Sequence, residues 1–210
     1  MKKTFVLVAL FILPIVAYLF FASGINNFGK LPILKEGVPD LIALDASVTL
    51  DNKITILGFL GKETELNKGN AFNLNQKIYK RFHEFHDFQL IMVVPKGTEE
   101  KVGQLKKELG ALVSMEKWIF VFAEDQDIKK YFNALGTNLS LDKTVGSPYV
   151  FIIDKDRNLR GRKADEDEGV KYGFNTISVA ELNNKMEDDV KIILAEYRLA
   201  LKKNNAERKK

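Results

Sequence analysis

The sequence predicts an α/β domain, a mixed sheet flanked by helices, carried behind a single N-terminal transmembrane helix. Three observations predict it. Residues 4–25 form one uncharged apolar run. Short β-branched runs then alternate with segments of helical periodicity. Finally, two late strand signals are joined by a tight Asx-rich turn, the pattern of an antiparallel hairpin. The 210 residues are 46% hydrophobic and 29% charged, enough apolar content for a folded core and too much for a disordered chain.

The apolar run TFVLVALFILPIVAYLFFASGI would span about 33 Å as a helix, enough for a bilayer core of roughly 30 Å. Pro14 lies inside it, where membrane helices tolerate proline. We read it as an uncleaved anchor; the competing reading is a signal peptide cleaved near Ala22-Ser23-Gly24. Either way Lys2 and Lys3 keep the N-terminus cytoplasmic and the remainder exported, because positive flanks stay inside. Residues 26–45 read as a linker, broken by Gly29, Pro32, Gly37 and Pro39.

The domain proper is expected from residue 46 to 203. Strands are predicted at 54–60 (ITILGFL), 88–94 (FQLIMVV), 118–122 (WIFVF) and 149–153, with a hairpin partner at 159–162. Helices are predicted over 70–85, from Thr98 onward and over 127–135. A long amphipathic helix follows at 179–201, with Val179, Leu182, Met186, Val190, Ile193, Tyr197 and Leu201 in one stripe. Residues 202–210 offer nothing to bury and are expected to leave as a disordered basic arm within reach of anionic headgroups.

Charge and cysteine content set limits. The net charge of +4 comes from Lys2, Lys3 and the C-terminal cluster, so the middle of the chain is slightly acidic and offers no field for nucleic acid. With no cysteine there is no disulfide, thiolate metal site, thiol nucleophile or lipoprotein anchor.

The order of elements, with Pro148 directly before the hairpin strand, resembles the thioredoxin-like superfamily. Val38-Pro39-Asp40, the 54–60 strand leading into Gly61, and Tyr149-Val150-Phe151-Ile152-Ile153-Asp154 resemble in particular the membrane-anchored Sco/SenC proteins, which assist copper-site assembly in cytochrome oxidase. The resemblance implies a cis Ser147–Pro148 bond facing the active-site loop. It also implies a Cys-x-x-x-Cys pair after the first core strand and a copper-ligand histidine before the hairpin strand. This chain has Gly61-Lys62-Glu63-Thr64-Glu65-Leu66-Asn67-Lys68-Gly69 at the first place and Val145-Gly146-Ser147-Pro148 at the second. A site of that type therefore lacks its soft ligands, and thiol exchange lacks its thiols.

Other candidate residues are few. His83 and His86, the only histidines, are spaced i, i+3 at a predicted helix end, with Glu84 or Asp87 as a third ligand for a metal clamp; two surface histidines explain them more simply. Lys62, Glu63, Thr64 and Glu65 occupy the mouth of the expected loop, where a carboxylate base would find only Thr64 as a nucleophile. Asp154-Lys155-Asp156-Arg157-Asn158 looks like the start of a calcium loop but has Leu159 at its sixth position, and such turns arise for conformational reasons. The many aromatics (15 Phe, 6 Tyr, 1 Trp) are expected as core, with Phe72, Phe82, Phe85, Phe88, Phe120, Phe122, Phe132 and Phe151 inward. Tyr172, Phe174 and Ile177 are expected as an exposed patch for a partner.

The sequence thus favours a membrane-tethered, redox-inactive module that binds another membrane or envelope protein and carries no cofactor. Candidate contacts are Lys62, Glu63, Thr64, Pro148, Tyr172 and Phe174. A metal-handling or enzymatic protein with a site at His83 and His86 is the alternative, and a purely structural spacer is the third.

Overall fold

The computed structural model describes residues 10–16 and 29–207, with 201–207 described by their backbone alone. Residues 10–16 are helical. Among the described residues no helix is long and apolar enough to cross a membrane. Most of the expected anchor, 4–25, lies outside them.

The central strands are β2 (Ile54–Leu60), β3 (Phe88–Pro95), β4 (Trp118–Ala123) and β5 (Gly146–Ile153). β1 (Ile33–Lys35) and β6 (Leu159–Arg160) complete the sheet in the order β1-β6-β5-β2-β3-β4. β2, β3 and β4 are parallel, while β5 is antiparallel to β2 and β6 to β5. The helix α1 runs as Lys68–Leu74, a π turn at Asn75–Tyr79, and Lys80–Phe82. α2 is Glu99–Gly110 and α3 is Asp125–Ala134. A side hairpin, β7 (Arg162–Asp165) with β8 (Gly169–Lys171), and the short β9 (Phe174–Asn175) on β5 precede the last helix. That helix, α4, runs as Val179–Glu181, a second π turn at Leu182–Met186, and Glu187–Glu207.

Alternation along the strands sends side chains to two cores. Ile54, Ile56, Val150 and Ile152 meet Leu74, Ile78, Val102, Leu105, Met186, Val190 and Ile193 on the face covered by α1, α2 and α4. Leu57, Phe59, Phe151 and Ile153 meet Val38, Leu41, Ile128 and Phe132 on the face covered by α3 and the N-terminal segment. Burial of each large apolar side chain contributes about 1.5–3 kcal/mol. Both faces are covered, which is why the central strands read as continuous apolar runs rather than alternating ones.

Several expectations are corrected. The segment read as a linker to residue 45 contributes β1 and the buried Val38 and Leu41, so the domain begins earlier. Phe85 and Val179 are exposed, because α1 stops at Phe82 and Val179 sits on the first open turn of α4. The last helix does not stop at Leu201 but continues to Glu207, so most of the supposed arm is helical backbone. Such an extension is reasonable for Lys, Asn, Ala and Glu, none of which breaks a helix that is already nucleated.

Ser147–Pro148 is trans, as are all described peptide bonds. β5 begins at Gly146, where it already pairs with Leu60, and Ser147 pairs with Phe59. The reversal has been completed upstream by Val145, held in the left-handed region at φ 66°. The chain therefore enters the strand without needing a cis bond.

Candidate functional site

The loop after β2 emerges at the C-terminal end of the parallel strands, where open α/β sheets commonly bind ligands. Here it is tied down. Gly61 has φ 75°, and a side chain there would place its Cβ 2.8 Å from the Gly146 Cα. This contact lets the two backbones touch. Lys62 N donates to the Thr144 carbonyl at 2.9 Å, and Asn67 Nδ2 donates to the Leu60 carbonyl at 2.8 Å. The Lys62 ammonium pairs with Asp125, the first residue of α3, at 2.5 Å.

The facing turn is built by Asp142. Its carboxylate accepts from Thr144 N (2.8 Å), Thr144 Oγ1 (2.7 Å) and Gly146 N (2.9 Å). Burial works to raise its pKa, but these hydrogen bonds, led by the Gly146 N–H, hold the carboxyl below the usual range. On the third side, Thr176 donates to the Pro148 carbonyl through both N (2.9 Å) and Oγ1 (2.7 Å). Asn73 Nδ2 of α1 reaches the Thr176 carbonyl at 3.1 Å. Hydrogen bonds thus join 61–62 to the turn at 142–146, and the start of β5 at Pro148 to Thr176.

The expected residues separate on this surface. Lys62 and Glu63 are exposed, Pro148 is half-buried in β5, and Thr64 is buried, its Oγ1 without a hydrogen-bond partner. No nucleophile–base pair is formed: the Thr64 hydroxyl bonds to neither Glu63 nor Glu65. Phe174 is fully buried under α4, because its pairing through β9 with Val150 turns it into the core. Tyr172 is half-buried. Of the expected aromatic and apolar patch, Ile177 alone stands out, at 62% exposure. The sequence reading missed Leu66, which is 80% exposed on the first loop. A lone leucine among charged residues in Lys62–Lys68 was the available signal.

The histidines do not form a clamp. Because α1 ends at Phe82, both lie in the following turn rather than on one helix face. His83 packs on Tyr79, with ring centroids 5.4 Å apart, and His86 Nδ1 sits 2.6 Å from Asp87. Among the described residues no group of three or more His, Asp or Glu side chains is placed to hold a metal. Asp154, first residue of the calcium-like turn, instead accepts from Asp156 N (2.9 Å), Asn158 N (2.8 Å) and Arg160 (2.8 Å). Its acceptor capacity is used by the turn and by Arg160 of β6.

No known protein-family model matches the sequence, and no curated protein does. Solved structures similar to the chain include a SCO1/SenC family lipoprotein from Bacillus anthracis, at 15% identity over 69% of this chain and 83% of that one, TM-score 0.47. A thiol:disulfide interchange protein of the thioredoxin family from Chlorobium tepidum is similar at 19% identity over 71% and 83%, TM-score 0.46. Copper-bound ScoI of Arabidopsis thaliana is similar at 13% identity over 68% and 86%, TM-score 0.42. Parallel β4, β3 and β2 followed by antiparallel β5 and β6, with helices on both faces, is the decisive arrangement. The fold is thioredoxin-like. This thioredoxin-like domain has no cysteine anywhere in its sequence.

Proposed function

We propose that this chain is a membrane-tethered, redox-inactive thioredoxin-like module that acts by binding another membrane or envelope protein during assembly of an envelope or respiratory complex. The observation that carries the reading is the loop after β2: thiol-free, zipped to residues 144–146, yet presenting Leu66. Thiol exchange requires a thiolate, and this chain has none to offer. A tied loop instead gives a preformed surface, and a preformed surface lowers the entropy lost on binding. Leu66 and Ile177 supply its apolar contacts, and Lys62 and Glu63 its polar rim.

The tether is the uncharged run 4–25, and the assembly role rests on the resemblance to the Sco/SenC proteins. The test is partner recovery from native membranes with full-length protein, wild type against Leu66→Asp with Ile177→Asp. The double variant loses at least tenfold of one specific co-purifying protein while its urea midpoint stays within error. Equal recovery by both forms would overturn the proposal.

A further inference from the structure

The hairpin β7–β8 has no apolar support of its own. Among the described residues its two strands pair only with each other, and a lone two-stranded hairpin is marginal in water. Its only apolar side chains, Ala164 and Val170, are exposed. Its buried side chains are Asp165 and Lys171, both charged.

Ion pairs with α4 take the place of a core. Lys171 Nζ meets Glu181 at 2.9 Å, and Asp165 meets Lys185 at 2.7 Å. Arg162 holds Asp189 through two nitrogens, at 2.8 and 2.9 Å. It also donates to the Lys185 carbonyl at 3.1 Å, inside the second π turn. The charges of α4 therefore run negative, positive, negative at 181, 185 and 189, and the hairpin meets each with its opposite. Glu181 Oε1 also accepts from Asn175 N at 2.9 Å, so one carboxylate holds both the hairpin and the segment leading to Ile177.

Such a contact depends on every partner being present. Removing one member of a buried pair leaves the other charge desolvated and uncompensated, which is strongly destabilising. Lifting the whole hairpin instead returns all of these groups to water together and exposes almost no apolar surface. Segments with few buried apolar contacts are the ones that open locally, ahead of the fold. We infer that β7–β8 is an electrostatically latched strap: it lifts from α4 as one unit while the sheet stays folded, and its ion pairs set how often. When lifted it bares Glu181, Lys185 and Asp189 and takes Lys171 away from the carboxylate that holds Asn175. Off the helix the hairpin loses its own pairing too, so its amides become open to exchange.

Hydrogen exchange of the full-length protein in detergent tests this, with backbone amides of 162–171 compared with those of 54–60 and 88–95. In the wild type the strap should exchange at least about tenfold faster than the two strands. Lys185→Met strips Asp165 of its cation and should speed the strap by about another tenfold while the strands keep their rates. Arg162→Gln, which releases Asp189, should speed the same span, because the strap lifts as one unit. Lys163→Met, at an exposed residue that makes no ion pair among the described residues, is the control and should change nothing. The inference is overturned if either Lys185→Met or Arg162→Gln leaves 162–171 at the wild-type rate. It is equally overturned if the strands speed up in step with the hairpin, or if Lys163→Met has the same effect as the other two.

Discussion

At the C-terminal end of β2 most of the polar contacts end on backbone groups: Lys62 N donates to the Thr144 carbonyl, Gly146 N to the Asp142 carboxylate, and Thr176 N to the Pro148 carbonyl. At the opposite end of the sheet they join buried charges. The Arg160 guanidinium donates to the Leu31 carbonyl (2.8 Å), Asp154 (2.8 Å) and Glu196 (2.6 Å), linking β1, β5, β6 and α4. Lys155 reaches Asp87 and lies 5.4 Å from the Tyr197 ring centroid. One end is tied locally and keeps exposed apolar residues; the other is knitted into the fold. Change at the first should alter what the protein binds, and change at the second whether it folds.

The contrast is broken most directly at Arg160, only 3% exposed. Arg160→Ala leaves buried Asp154 without its cation and should cost about 3 kcal/mol in urea unfolding, since removing one partner of a buried pair is strongly destabilising. A loss below about 1 kcal/mol would dissolve the distinction between the two ends. Next comes Gly61→Ala, which meets the Gly146 backbone in a left-handed conformation and should cost about 2 kcal/mol. Gly37→Ala, also left-handed (φ 64°) but with open space around it, should cost about half as much. Equal losses would show that the Gly61–Gly146 contact is not close.

Asp142→Asn sharpens the picture through pH. The carboxyl's folded pKa is lowered, so its contribution is present above the unfolded value near 3.9 and is lost as pH falls through the folded one. The variant should be less stable by about 1 kcal/mol at about pH 7, and the gap should close below about pH 4. A gap that persists in acid would assign the effect to packing. Smallest is Lys62→Ala: its exposed pair with Asp125 should be worth less than about 0.5 kcal/mol.

The strands at 54–60, 88–95 and 118–123 were legible because helices cover both faces, making each a continuous apolar run. What was hidden depends on contacts distant in sequence. β1 is three residues long and gains its place only by pairing with β6. Gly146-Ser147-Pro148 carries no strand signal, yet pairing with Leu60 and Phe59 makes it one. Phe174 looked like loop surface until β9 met β5. The π turns widen α1 and α4 by one residue each, and apolar spacing does not register so small a change. At the candidate site, the loop was placed by resemblance and by its missing thiols. Its tethers Thr144 and Asp125 were not legible, since the nearer of them stands 63 residues from Lys62.

The claim that the tied end is the binding surface is tested most directly by photo-cross-linking in native membranes. A photoreactive side chain is placed at Leu66, at Ile177 or, as the contrast, at Leu112, which is exposed beyond α2. The account predicts the same discrete adduct from Leu66 and Ile177 and none from Leu112. An adduct from Leu112 alone, or none from the first two, would contradict it.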